Sequence, residues 1–251
     1  MEKDFEKLII KFKKINKLGY VKGINNNINN SCGLTFEKLI GKQVDSMFFP
    51  DFDGIEKKFT KRFSRYPISI FTISFNGPSL FESNYLLEKY GEEDKEFKDK
   101  KTLFCNLKYK TKVLVYQKYY FELDIDELKE IIYINIYDIN YNFIERRGII
   151  DFEDIKDRLR VKLNNLALIY ASKRKINQDL YFRYYKIICY KYKGFDYFLT
   201  ALKYDYVKVS ICLRFARTGV NTGKNKNKNM VFKIDKNSVD KLFDRIYLYE
   251  N

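Results

Sequence analysis

Within the run Pro50-Asp51-Phe52-Asp53-Gly54-Ile55-Glu56-Lys57-Lys58, two carboxylates stand five residues apart and a lysine follows the second by two. Asp51, Glu56 and Lys58 thus form the pattern P-D-x-x-x-x-E-x-K. Two hard carboxylate oxygens can hold Mg2+, which keeps several waters and accepts phosphate oxygens. Such a metal lowers the pKa of a bound water and stabilises charge building on an attacked phosphate. Lys58, a compact cation, can orient that water or stabilise the developing negative charge. Hydrolysis of a phosphodiester needs no more than this. The chain contains no histidine, which excludes a Ser-His-Asp triad, a Cys-His dyad and a His-ligated metal. Four cysteines, Cys32, Cys105, Cys189 and Cys212, are widely spread without a C-x-x-C pair and read as the reduced thiols of a cytoplasmic protein.

Spacing alone is a weak signal, because Glu93-Asp94-Lys95, Asp99-Lys100-Lys101, Glu127-Leu128-Lys129 and Asp154-Ile155-Lys156 also read acid-x-Lys. The first two fall in a charged loop and the last two in helix-like sequence. Only Glu56 follows a turn, Pro50–Gly54, and opens a strand, Ile55–Thr60. A strand's period of two puts Glu56 and Lys58 on one face, with Asp51 approaching from the turn. Around this point the pattern predicts a helix over Asp4–Lys17, a polar loop at Asn25–Asn30, and a short helix Thr35–Ile40 closed by Gly41. A strand Ile68–Phe75, a helix Ser79–Tyr90, a charged loop Gly91–Lys101 and strands Thr111–Leu123 and Ile131–Tyr137 follow. Beyond Asp138 the pattern predicts a long helix Asp154–Ser172, strands Leu180–Tyr192 and Tyr206–Phe215 separated by a helix Phe195–Lys203, and a Gly/Asn/Lys-rich loop Thr218–Asn229. A strand Met230–Ile234 and a helix Ser238–Leu248 close a mixed α/β chain.

The net charge of +15 is concentrated: residues 155–233 hold 19 Lys/Arg against four acids, and the remainder is neutral. So basic a folded block repels itself unless a polyanion offsets it, and nucleic acid is the leading partner. No apolar run approaches the roughly 18–20 residues of a membrane span. The 22 Tyr and 22 Phe fall mostly in strand-like and helical apolar patterns, so core packing is expected of them ahead of base stacking.

The stretches Gly33-Leu34-Thr35-Phe36-Glu37-Lys38-Leu39-Ile40-Gly41, Pro50–Lys58, Thr60-Lys61-Arg62 and Ile68-Ser69-Ile70-Phe71 resemble the MvaI/BcnI-type restriction endonucleases, relatives of the MutH nicking enzyme in the PD-(D/E)xK nuclease superfamily. A second patch is similar too: Val209-Ser210-Ile211 through Arg217-Thr218-Gly219, Gly223-Lys224-Asn225-Lys226, and Phe232-Lys233-Ile234. The resemblance implies a nuclease core, a mixed sheet flanked by helices, with a second DNA-recognition lobe and a cleft between them. The division it suggests is a catalytic lobe at 1–137 and a basic recognition lobe at 138–251, with interleaving allowed. It also implies that Asp51 and Glu56 ligate Mg2+, that Lys58 is the catalytic lysine, and that Glu37 is an additional acid near the metal. Lys61, Arg62, Lys224, Lys226 and Lys228 become candidates for DNA phosphates, and Arg214 and Arg217 for guanine edges.

The activity expected is that of a type II restriction endonuclease. It would act as a monomer on double-stranded DNA, with a cognate DNA methyltransferase encoded nearby. A MutH-like nicking enzyme and an inactive DNA-binding relative are the alternatives. Three departures stand out. Lys57 occupies a position that is apolar in the family and must snorkel, pair or sit at an edge. Ser31 replaces a glycine ahead of the T-x-E helix. The loop before the last strand carries Lys224-Asn225-Lys226-Asn227-Lys228-Asn229 where relatives often place histidines, so no DNA target transfers.

Overall fold

In the computed structural model the described residues are 3–27, 30–41, 52–61, 66–78, 80–217, 222–224 and 229–251. Asp51, Arg62, Lys226 and Lys228 lie outside them. In chain order the elements are α1 (Lys3–Lys17), β1 (Val21–Lys22), α2 (Ser31–Leu39), β2 (Ile55–Lys61), β3 (Ile68–Ile73), α3 (Phe81–Tyr90), β4 (Glu92–Glu93) and β5 (Lys101–Leu107). There follow β6 (Val113–Val115), β7 (Tyr119–Asp126), β8 (Ile131–Asp138), β9 (Phe143–Asp151), α4 (Phe152–Leu163), β10 (Asn165–Ile176) and β11 (Asp179–Tyr192). The chain closes with α5 (Phe195–Lys203), β12 (Val207–Leu213), β13 (Asn229–Ile234), a 3-10 turn, α6 (Val239–Leu242) and β14 (Phe243–Glu250).

The chain forms two units: Met1–Ile68, Leu159–Gly194 and Val239–Asn251 make the first, Ser69–Arg158 and Phe195–Ser238 the second. A division at 137/138 is therefore not observed; that point falls inside β8 of the second unit. The basic block is shared as well. Residues 159–194 bring nine bases and one acid to the first unit, whereas ten bases and three acids fall in the second.

In the first unit the sheet runs β1-β11-β10-β2, with β14 also paired to β11. Strand β10 is antiparallel to β11 and parallel to β2, with Leu166 opposite Glu56 and Leu168 opposite Lys58. Helix α1 forms because Phe5, Leu8, Ile9, Phe12 and Ile15 recur at helical spacing, and all five are buried. They pack with Phe36 of α2 over Ile55, Ala167, Ile169 and Tyr184 of the sheet. At the start of α2, Ser31 is buried and its hydroxyl donates to the Asn25 carbonyl at 2.7 Å, so the helix begins four residues earlier than its pattern predicts.

Two predicted helices give way to strands part of the way along. Asp154–Ser172 is helical only to Leu163; Asn164 breaks it and β10 follows. The apolar run Leu166–Ala171 suits a buried helix as well as a central strand, and here it is flanked by strands on both edges. Ser238–Leu248 yields only the short α6 before β14 pairs with β11, from Phe243 opposite Tyr192 to Glu250 opposite Lys186.

The second unit holds a sheet of order β3-β13-β12-β5-β4 and an antiparallel meander β6-β7-β8-β9. Strands β4, β5 and β9 are additions to the predicted set. Phe71 stacks on Phe232 with centroids 4.6 Å apart, and Phe198 of α5 packs against both. Aromatics such as Phe121, Phe182, Tyr90 and Tyr184 are buried in the core as expected, whereas Tyr66, Phe81, Tyr197 and Tyr204 are exposed. The four cysteines are thiols outside any disulfide, and burial pushes those of Cys105 and Cys189 up to about 12. Among the described residues no helix is long and apolar enough to cross a membrane.

Candidate active site and nucleic-acid interface

The predicted turn is tight. Phe52 and Ile55 exchange backbone hydrogen bonds of 3.0 and 2.7 Å, and the residues between them, Asp53 and Gly54, have φ of 42° and 80°. Positive φ at both centres is the Asp-Gly hairpin turn whose twist suits a following strand. Helix α1 holds it: Lys7 pairs with Asp53 at 3.3 Å, and the Lys11 ammonium lies 5.2 Å from the Phe52 ring centre while donating to the Ile40 carbonyl. The chain leaves this turn into β2, at the edge of its sheet.

Strand alternation then sorts the side chains. Glu56 and Lys58 share a face, and the Lys58 ammonium donates to Glu56 Oε1 at 2.6 Å. The Glu56 side chain is 3% exposed, whereas that of Lys58 is 23% exposed. Lys162, from the last turn of α4, brings a second ammonium to 3.8 Å from the same oxygen. The sequence pattern did not single out Lys162, because nothing in its local spacing announces that α4 ends beside β2.

The opposite face explains Lys57. It lies between Ile55 and Phe59, on the side covered by α2, where Phe36 meets Phe59 with centroids 5.5 Å apart. The next residue of that helix, Glu37, places Oε1 3.4 Å from the Lys57 ammonium, whose side chain is fully enclosed. Of the three accommodations open to a lysine here, the chain combines pairing with an edge strand. The acid expected near a metal is thus engaged with Lys57, across the strand from Glu56 and Lys58. Among the described residues, no group of three or more Cys, Asp or Glu side chains gathers as a metal site. Glu56, a buried carboxylate held next to two ammoniums, has the donor chemistry for a hard divalent cation.

The predicted DNA contacts of the second unit fall into two settings. Arg214 and Arg217 line an open cavity of about 430 Å³ together with Phe104, Cys212 and Lys233. Phe104 is exposed there. Lys233 donates to the Ser210 hydroxyl at 3.0 Å, which donates to Asn106 Oδ1 at 2.8 Å. Arg217 is less available than its sequence suggests, since its guanidinium bridges Asp94 at 3.2 Å and Glu96 at 3.0 Å. The Glu96 backbone N–H, with that of Phe97 and with Arg217, overcomes the effect of burial and holds the Asp94 carboxyl below the usual carboxylate range. Lys224 is exposed in a turn whose base is fixed by the Lys100 ammonium on the Gly223 carbonyl at 2.6 Å. Lys61 is the last residue of β2.

This α/β arrangement is similar to that of a restriction endonuclease. The structure titled "Restriction endonuclease MvaI-cognate DNA substrate complex" matches with a TM-score of 0.87 and 21% identity, covering 98% of each chain. That of MvaI in the absence of DNA matches with a TM-score of 0.61 and 17% identity, over 99% of this chain and 98% of the other. At sequence level a model of the MvaI/BcnI restriction endonuclease family matches residues 9–243, and the chain belongs to that family. It is therefore a type II restriction endonuclease, a site-specific DNA endonuclease. A search of curated proteins finds no match.

Proposed function

We propose that this chain hydrolyses phosphodiesters of a short double-stranded DNA target with Mg2+, using Glu56, Lys58 and Asp51. The observation that carries this reading is the buried Glu56 carboxylate with the Lys58 ammonium at 2.6 Å on one face of an edge strand. Glu56 and Asp51 would hold the metal. When bound, Mg2+ supplies an activated water and neutralises charge on the attacked phosphate. Lys58 changes partner from Glu56 to the phosphate or the attacking water, which its partial exposure allows. Glu37 supports the strand through Lys57.

The first unit is then the catalytic one and the second the one that reads DNA, with Arg214, Lys233 and Lys224 at its contact surface. Lys61, Arg62, Lys226 and Lys228 add phosphate contacts in this reading. Arg217 contributes to base reading by exchanging Asp94 or Glu96 for an acceptor on the DNA. The proposed setting is a cytoplasmic monomer whose host DNA is protected by a cognate methyltransferase. The pairing of Lys57 with Glu37 accommodates the unusual lysine in the strand and so supports an active enzyme over an inactive relative.

The test is incubation with plasmid and phage DNA in Mg2+ and in EDTA, followed by sequencing of the product ends. Discrete fragments with one shared end sequence, formed only with Mg2+, are expected. Glu56→Gln and Lys58→Ala should each lower cleavage by about a hundredfold or more while duplex binding persists. Full cleavage by either variant would remove the assigned site. Nicked circles without linear product would favour the MutH-like alternative.

A further inference from the structure

Lys162 has no part in the motif, yet the topology delivers it to the motif's central carboxylate. Helix α4 ends at Leu163, Asn164 turns the chain, and β10 starts with Asn165 opposite Ile55 and Leu166 opposite Glu56. Because β10 and β2 run parallel, the C-terminal end of α4 comes to the start of β2. Lys162 Nζ stops 3.8 Å from Glu56 Oε1, the oxygen that also takes Lys58 at 2.6 Å. The Lys162 side chain is 29% exposed, which leaves its ammonium room to move by about the ångström that separates it from full hydrogen-bond distance.

The Lys58 ammonium has three donors, and the short 2.6 Å bond to Glu56 Oε1 holds it down against the strand, away from a phosphate arriving from solvent. When it turns out toward DNA that bond lengthens or breaks, and a carboxylate with 3% exposure loses its nearest cation, an unfavourable outcome in a region of low dielectric. We propose that Lys162 is a positioning residue of the active site: it takes up Glu56 Oε1 when Lys58 turns to the DNA phosphate, so that freeing Lys58 does not strand a buried anion. Lys162 acts through Glu56 and Lys58 and need not touch DNA. This rests on the assignment of Lys58 and Glu56 to the active site, but it concerns the protein–DNA complex before any metal is bound, so it can be read without catalysis.

The experiment measures affinity for a labelled duplex containing the target, in EDTA. It compares the unaltered chain with Lys162→Met, which keeps the apolar stem, and with Lys162→Arg, Lys58→Ala and Glu56→Gln. The pairings of Lys162→Met with Lys58→Ala and with Glu56→Gln complete the set, and melting temperatures check each variant's folding. Lys162→Met should weaken binding about five- to tenfold, and Lys162→Arg should restore most of it. In the Lys58→Ala and Glu56→Gln backgrounds Lys162→Met should have almost no further effect, since there is no ammonium to release or no anion to compensate. Equal weakening in all three backgrounds would show an independent phosphate contact and overturn the proposal, as would unchanged binding by Lys162→Met alone. Either result alongside Mg2+-dependent cleavage by the unaltered chain would leave the proposed function standing. Absence of both binding and cleavage by the unaltered chain would overturn both.

Discussion

Removing Glu37 and removing Lys57 should have unequal consequences, although the two form one ion pair. The Lys57 side chain is fully enclosed and Glu37 is 17% exposed, with 3.4 Å between the charged atoms. Deleting one member of a fully buried pair costs about 3–5 kcal/mol, because a charge is left in low dielectric. The partial exposure of Glu37 brings this to about 2–3 kcal/mol for Glu37→Ala. In a chain of this size that lowers the unfolding temperature by about 5–10 °C. Lys57→Met replaces the ammonium by an apolar group of similar length against Ile55, Phe59 and α2, so its stability should stay within about 1 kcal/mol of the original. The double variant should regain what Glu37→Ala lost. Thermal and urea denaturation followed by circular dichroism measure all three. A loss for Lys57→Met as large as for Glu37→Ala, or a Glu37→Ala variant within about 0.5 kcal/mol of the original, would refute the buried-pair reasoning. The double variant also separates two roles for Glu37. Recovery of cleavage with recovery of stability means that the carboxylate serves the strand through Lys57; stability without cleavage means that it also acts at the metal.

Glu145 accepts hydrogen bonds from Tyr85, Tyr90, Lys89 and Arg147. Burial alone would raise its pKa, but these donors outweigh it and bring the carboxyl from 4.5 down to about 2. A depressed folded-state pKa gives stability that is present above about pH 4.5 and lost as the pH falls through about 2. That gap corresponds to at most about 3 kcal/mol, screened by solvent to about 1–2 kcal/mol. Urea unfolding of the original chain and of Glu145→Gln should therefore converge between pH 5 and 2, and a pH-independent difference would count against the network. Lys224→Ala should reduce the slope of log affinity for DNA against log salt by about 0.9, and an unchanged slope would take this lysine out of the interface. Gly148 has φ of 63°, and an added Cβ would meet Ile134 Cδ1 at 2.6 Å and Phe75 Cε1 at 3.0 Å. Gly148→Ala should cost about 2 kcal/mol or more in urea unfolding, against a neutral outcome if β9 simply shifts.

Sequence pattern located α1, β2, β3, α5, β12 and β13 almost residue for residue, because the pattern of each has one reading. It failed where the pattern has two readings. Val239, Leu242, Phe243 and Ile246 stand at helical spacing, yet the chain from Phe243 onward pairs with β11, and ladder pairing there outweighs local propensity. The site divides in the same way. Glu56 and Lys58 are neighbours in a strand, so their meeting is a local fact that alternation predicts. Glu37 and Lys57 are twenty residues apart and meet only because α2 packs on that strand's other face.

Lys162 shows how an error in one element hides a residue of the site. Were Asp154–Ser172 a single helix, Lys162 would lie in its middle at same-face spacing from Leu159 and Leu166, where its stem would pack along the apolar stripe and its ammonium would reach solvent, with no claim on the chemistry. Ending the helix at Leu163 changes its surroundings entirely. The next strand must then lie in a sheet, its apolar run requires neighbours on both edges, and the neighbour it takes on one side is the strand that carries Glu56. The helix end is thereby carried to the catalytic strand, and the lysine of its last turn with it. A basic residue in a last turn complements the helix dipole wherever the helix sits; only the parallel pairing of β10 with β2 turns that ordinary preference into a second ammonium at the buried carboxylate.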